Sequence, residues 1–117
     1  MEITEAFEKE IAPFYWVEHE GSASACLGVG EYLQEVFDTR AEEGFEGNGY
    51  DWGSLALVFL TEKCQDIQDK IDFDPEADMF CAYAEDKEAL ADFILQFKKA
   101  CEDRDLILDL FSRAELD

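Results

Sequence analysis

Positive charge is what this chain lacks most. Nine lysines and arginines stand against thirty aspartates and glutamates, a formal net charge of −21. A field of that sign repels phosphate backbones and anionic lipid, so the expected partners include neither nucleic acid nor a membrane. It attracts cations and basic proteins and speeds their encounter; it also supplies solubility. Histidine is nearly absent. His19 is the only one, in a predicted turn between Glu18 and Glu20, and it reads as an ordinary surface residue and a poor general base. No GxSxG and no HExxH occurs, so neither nucleophilic nor zinc-dependent hydrolysis has its usual signature, and no catalytic residue, metal ligand or cofactor is expected. Long apolar runs are missing as well. The longest, Leu55 to Leu60, is far short of the roughly 20 residues that span a bilayer. The acidic opening MEITEAFEKE carries no apolar segment of the secretory kind. No CxxC pair occurs among Cys26, Cys64, Cys81 and Cys101. Each lies inside an apolar pattern and reads as a small buried thiol, with disulfide or metal pairing second. A cytoplasmic protein is the expectation.

What is present is enough for a core. Hydrophobic residues make up 48% of the 117 and aromatics 14%, too much for a disordered acidic tail and suited to one domain, residues 1–117. Residues 1–11 are amphipathic and read as a short helix or a frayed leader. Phe14 to Val17 and Ala23 to Val29 read as strands around the turn-forming EHEGS segment. Glu31 to Glu43 follows a helical period, with Tyr32, Leu33, Val36 and Phe37 on one stripe and Gly44 placed to end it. Trp52 to Lys63 reads as a helix apolar nearly all round, with Asp51 as its N-cap. Ile71 to Asp74 and Met79 to Ala84 read as a second hairpin around an Asp74–Ala77 turn. Asp86 caps a helix carrying Leu90, Phe93, Ile94, Phe97 and Cys101 on one face, and a last helix starts near Asp105. The predicted fold is α+β: an antiparallel sheet of about four strands in two hairpins, covered by helices, in the order ββαα-ββαα.

Two ligand motifs fail on inspection. Asp72, Asp74 and Glu76 match the first three ligand positions of an EF-hand, but Ala77 stands where glycine is needed and Tyr83 where glutamate is needed; a solvated acidic turn is expected instead. The glycine-rich stretch EGNGYDWGS, Glu46 to Ser54, has no lysine for a P-loop and the wrong spacing for GxGxxG. Between Glu31 and Asp51 seven acids face Arg40 alone, a net −6 that opposes a phosphate. The stretch reads as a turn between helices, with Gly47, Asn48 and Gly49 able to take positive φ.

The segments GNGYDW (Gly47 to Trp52), leading into the apolar helix, and FDPEADMF (Phe73 to Phe80), followed by AEDKEAL, resemble bacterial immunity proteins of polymorphic-toxin systems, closest to immunity protein family fifty-one. The matching positions are Gly47, Gly49, Tyr50, Asp51, Trp52, Phe73, Asp74, Glu76 and Phe80. The resemblance implies a small, non-enzymatic α+β protein that binds a toxin domain and blocks it. An acidic partner suits a toxin whose basic cleft handles nucleic acid. Asp66 to Glu88 is a second acidic span, nine acids against Lys70 and Lys87. The expected partner-binding residues are Glu46, Tyr50, Asp51, Trp52, Asp74, Glu76 and Asp78, with Tyr50 first and Trp52 divided between surface and core. A monomer or weak homodimer is expected. The alternative is an acidic interaction module, or a nucleic-acid mimic that inhibits some other DNA- or RNA-binding protein.

Overall fold

The computed structural model describes residues 3–116. Helix α1 (Glu5–Ile11) is held at its start by Thr4, whose hydroxyl oxygen accepts from the Phe7 N–H at 3.1 Å. Strands β1 (Tyr15–His19) and β2 (Ser22–Gly28) form a hairpin that turns at Glu20 and Gly21, where Gly21 has φ 81°. Helix α2 (Gln34–Asp38) and a 3-10 turn (Ala41–Glu43) lead to the long helix α3 (Gly49–Lys63). A second 3-10 turn (Gln68–Lys70) precedes β3 (Asp72–Phe73) and β4 (Met79–Ala84), followed by α4 (Lys87–Cys101) and α5 (Arg104–Phe111). The sheet is antiparallel throughout, in the order β1-β2-β4-β3. This is the expected α+β architecture, with one helix ahead of it. The two hairpins join through β4, which docks on β2 and makes one sheet of both halves.

Side-chain alternation decides which face the helices cover. Ala23, Ala25 and Leu27 of β2 and Phe80, Ala82 and Ala84 of β4 all point inward and are buried. Four of these six are alanines, so α4 can lie close across β2 and β4. Its face of Leu90, Phe93, Ile94 and Phe97 is fully buried there. Phe97 is the hub of the core, with ring centroids at 5.8 Å from Phe14, 6.1 Å from Trp52, 5.2 Å from Phe59 and 5.6 Å from Phe93. The outward residues of β1 and β4 (Tyr15 and Val17; Met79, Cys81 and Tyr83) lie on the face opposite this core.

Several expectations need correction. The helix read over Glu31–Glu43 is broken. Leu33 is buried in the left-handed region at φ 57°, and the α-helix runs only from Gln34 to Asp38. At the C-terminal side the reason is tertiary. Arg40 donates to the carbonyls of Phe111, the last residue of α5, and of Ala114 beyond it, and its guanidinium lies 4.5 Å from the Phe45 ring centroid and 5.1 Å from that of Phe111. Reaching those groups takes the chain out of the helix at Thr39. Gly44, at φ 110°, ends the 3-10 turn. The second hairpin turns at Ala77 and Asp78, not at Asp74–Ala77, because Glu76 and Met79 exchange backbone hydrogen bonds at 2.7 and 3.4 Å. The cysteines do not behave alike. Cys26 and Cys81 are direct cross-strand partners, with Cα atoms 4.1 Å apart, and form a disulfide. Cys64 and Cys101 are the buried thiols expected of all four, and burial pushes the Cys64 thiol up to about 11. A pairing legible only once β2 and β4 are neighbours removes the ground on which the cysteines pointed to a reducing compartment.

Candidate interaction surface

The glycine-rich turn is built as a cap. Asn48, not Asp51, is the N-cap of α3, and its side-chain oxygen accepts from the Asp51 N–H at 2.9 Å. Asp51 answers from the third helical position. Its Oδ2 accepts from the N–H groups of Glu46 at 2.7 Å, Gly47 at 2.8 Å and Asn48 at 3.4 Å. This is a capping box extended upstream by two residues. The asparagine and an acid three residues later carry that signal in the sequence. Of the three candidates for positive φ, only Gly47 takes it, at φ 89°.

Gly49 is required for a different reason. Its N–H donates to the Ala77 carbonyl at 3.2 Å, and a Cβ on it would overlap the backbone carbonyls of Glu76 and Met79. One turn on, Gly53 faces the Pro75 ring, 3.6 Å from where a Cβ would stand. The start of α3 is therefore seated on the tip of the β3–β4 hairpin. These are the two segments that carry the family resemblance, more than twenty residues apart in the chain and in direct backbone contact in space. The same contacts occupy most of the N–H groups an anion would use: Gly49 donates to Ala77, and Asp51 and Trp52 donate to Asn48.

The seven residues expected to meet a partner divide accordingly. Glu46, Tyr50, Asp74, Glu76 and Asp78 are exposed, Tyr50 to 41%. The contact between α3 and the hairpin brings together the chain segments that carry them. Asp51 is 2% exposed and Trp52 fully buried, so both belong to the scaffold. Trp52 stacks parallel to Tyr32 at 6.0 Å and meets Phe37 at 5.2 Å. Its indole N–H has no hydrogen-bond partner, a cost borne inside an aromatic cluster.

Charge is left over here. Among the described residues, six of the nine basic side chains form ion pairs: Arg40, Lys70, Lys87, Lys98, Arg104 and Arg113. Among the described residues, none of those pairs uses Glu46, Asp74, Glu76 or Asp78. Elsewhere His19 Nε2 lies 3.1 Å from Ser24 Oγ, a contact the sequence did not suggest. Among the described residues no carboxylate bonds the other ring nitrogen, so this pair lacks the third member of a catalytic triad. Also among the described residues, no group of three or more His, Cys, Asp or Glu side chains is placed to hold a metal ion, and no helix is long and apolar enough to cross a membrane.

The sequence model of one protein family, Immunity protein 51, matches residues 14–116. The chain belongs to the Immunity protein 51 family. The match runs from the residue before β1 to the end of the described structure, so it takes in both hairpins, the α3 cap and all five of those exposed residues. No curated protein and no solved structure matches the chain. As an Immunity protein 51 member it serves in immunity against a toxin, and the task left to the geometry is to say which surface meets that toxin.

Proposed function

We propose that this immunity protein binds and neutralises a cognate bacterial toxin domain through the acidic surface where α3 meets the β3–β4 hairpin. The supporting observation is the seating of Gly49 on the carbonyls of Glu76 and Met79, which makes one surface of the two segments that resemble the family. In this reading Tyr50 is the anchor that enters a pocket of the toxin, and Glu46, Asp74, Glu76 and Asp78 form the charged rim. The surplus of acid suits a toxin with a basic cleft, such as a nuclease, whose phosphate-binding site the carboxylates occupy in place of substrate. Binding alone accounts for such neutralisation, and no catalytic step by this chain is part of it. The encounter is placed in the cytoplasm, where a nuclease would otherwise reach its target.

The test is protection. The toxin encoded by a neighbouring gene is expressed in cells with and without this protein. The reading expects survival with the wild-type chain and killing with Tyr50→Ala combined with Glu76→Lys. Equal killing in the presence and absence of the wild-type protein refutes it.

A further inference from the structure

The helices cover one face of this sheet, and part of the other face is apolar as well. The outer face carries Tyr15 and Val17 of β1, Met79 and Tyr83 of β4, and the Cys26–Cys81 disulfide in its middle. With Ser22, Ser24 and His19 they line a shallow depression of about 470 Å³. Tyr15 is 44% and Tyr83 40% exposed, two of the five large hydrophobic side chains left in solvent among the described residues. An antiparallel sheet with one solvated face ordinarily alternates apolar with polar residues; β2 does so with Ser22 and Ser24, but in β1 and β4 Tyr15, Val17, Met79, Cys81 and Tyr83 stand at the polar positions. On a chain of net charge −21, this face is almost free of charge. Its carboxylates, Asp72 and Asp74, sit along the β3 edge, in register with Tyr83 and next to Cys81.

We propose that the outer face of the sheet is a second docking surface for the same toxin, filled by an apolar patch of the toxin flanked by a basic side chain. The inference rests on the function proposed above and extends it to a surface that the sequence did not single out. Three observations choose this occupant. The first is continuity. Asp74 and Met79 line the depression, and they flank the hairpin tip that carries Glu76 and Asp78, so one partner covers both surfaces without a gap. The second is charge. Tyr83 and Ser22 also border an adjoining hollow lined by Asp69, Asp72, Glu85 and Asp86, where Lys70 is the one base. An arginine or lysine entering that hollow meets carboxylates on its walls and the Tyr83 ring at its side. The third is the poor fit of a second copy. A two-fold pairing on this face sets the β3-edge acids and that acidic hollow near their own copies, between chains that already repel each other. An uncharged aromatic centre with an acidic margin is the anatomy of a protein interface whose partner is basic at the rim.

The experiment titrates the purified toxin domain with the wild-type protein and with Tyr15→Ala, Tyr83→Ala, Tyr83→Phe and Tyr50→Ala, each first checked for its thermal midpoint. Tyr15→Ala and Tyr83→Ala are expected to weaken binding about 10-fold or more, with Tyr83→Phe close to wild type. As a measurement independent of any variant, tyrosine iodination of the wild-type chain is compared free and toxin-bound, and Tyr15 and Tyr83 are expected to be protected in the complex. Wild-type affinity in Tyr15→Ala and Tyr83→Ala, or undiminished iodination of both tyrosines in the complex, overturns the inference while the function above stands on Tyr50→Ala. A concentration-dependent dimer of the free protein that Tyr83→Ala abolishes overturns it in favour of a second copy. Failure of the wild-type chain to bind overturns both.

Discussion

At the scale of single residues, the glycine-rich turn separates structure from recognition within four consecutive positions. Gly49 and Asp51 build the turn, Trp52 fills the core, and Tyr50 alone among them faces solvent. Gly49→Ala places a methyl group on two backbone carbonyls that no side-chain movement can clear. It is expected to cost at least about 3 kcal/mol, read as a lowered urea midpoint. Asp51→Ala strips three backbone N–H groups of their acceptor and is expected to cost about 2 kcal/mol in the same assay. Tyr50→Ala should leave the midpoint near wild type and weaken toxin binding about 10-fold or more. The sequence made Asp51 the cap because it is the acid nearest the apolar run. The Asn48–Asp51 spacing does carry the capping box, but the sequence could not show that Asp51 also reaches back to the N–H groups of Glu46 and Gly47. Nor could it show that a glycine without positive φ is held by the other end of a hairpin.

Elements were legible in proportion to how much of their pattern is local. Helix α4 carries its amphipathic period and its Asp86 cap in the sequence, and the structure keeps both. Strand β4 has the expected bounds. Helix α2 was not legible, because Arg40 is held by groups some seventy residues away. The uncovered outer face was legible only as a hint: FYWV and MFCAY are apolar at successive positions, which a sheet with one solvated face does not require. Phe97→Ala empties the hub of the core and is expected to cost about 3–5 kcal/mol, the largest loss among single truncations on α4. Asp86 makes a pH prediction. The Ala89 N–H it accepts, and secondarily Lys70, hold its carboxyl below the ordinary aspartate value of 3.8. A group lowered on folding contributes stability above its unfolded value and loses it as pH falls through the folded one. The stability gap between wild type and Asp86→Ala is therefore expected to be full at neutral pH and to close below pH of about 4. Urea midpoints across that range check it; a gap that persists in acid contradicts it.

For the whole molecule, one property acts in two directions. Most of the thirty acids have no basic partner to offset them, and the ion pairs that exist join side chains of this same chain at its surface. The free protein therefore repels itself and should gain thermal stability as salt screens that repulsion. Association with a basic toxin should respond oppositely, its rate falling with the same salt while the dissociation rate changes less. A chain made acidic for solubility alone would show the first effect without the second.

The most direct measurement is the association of this protein with the toxin domain encoded beside it, followed in real time at low and high salt. The account predicts a complex of nanomolar affinity or tighter whose on-rate falls as salt rises, and which loses affinity with Tyr50→Ala although that variant remains folded. Absence of a complex at micromolar concentrations, or a tight complex indifferent both to salt and to Tyr50, would contradict it.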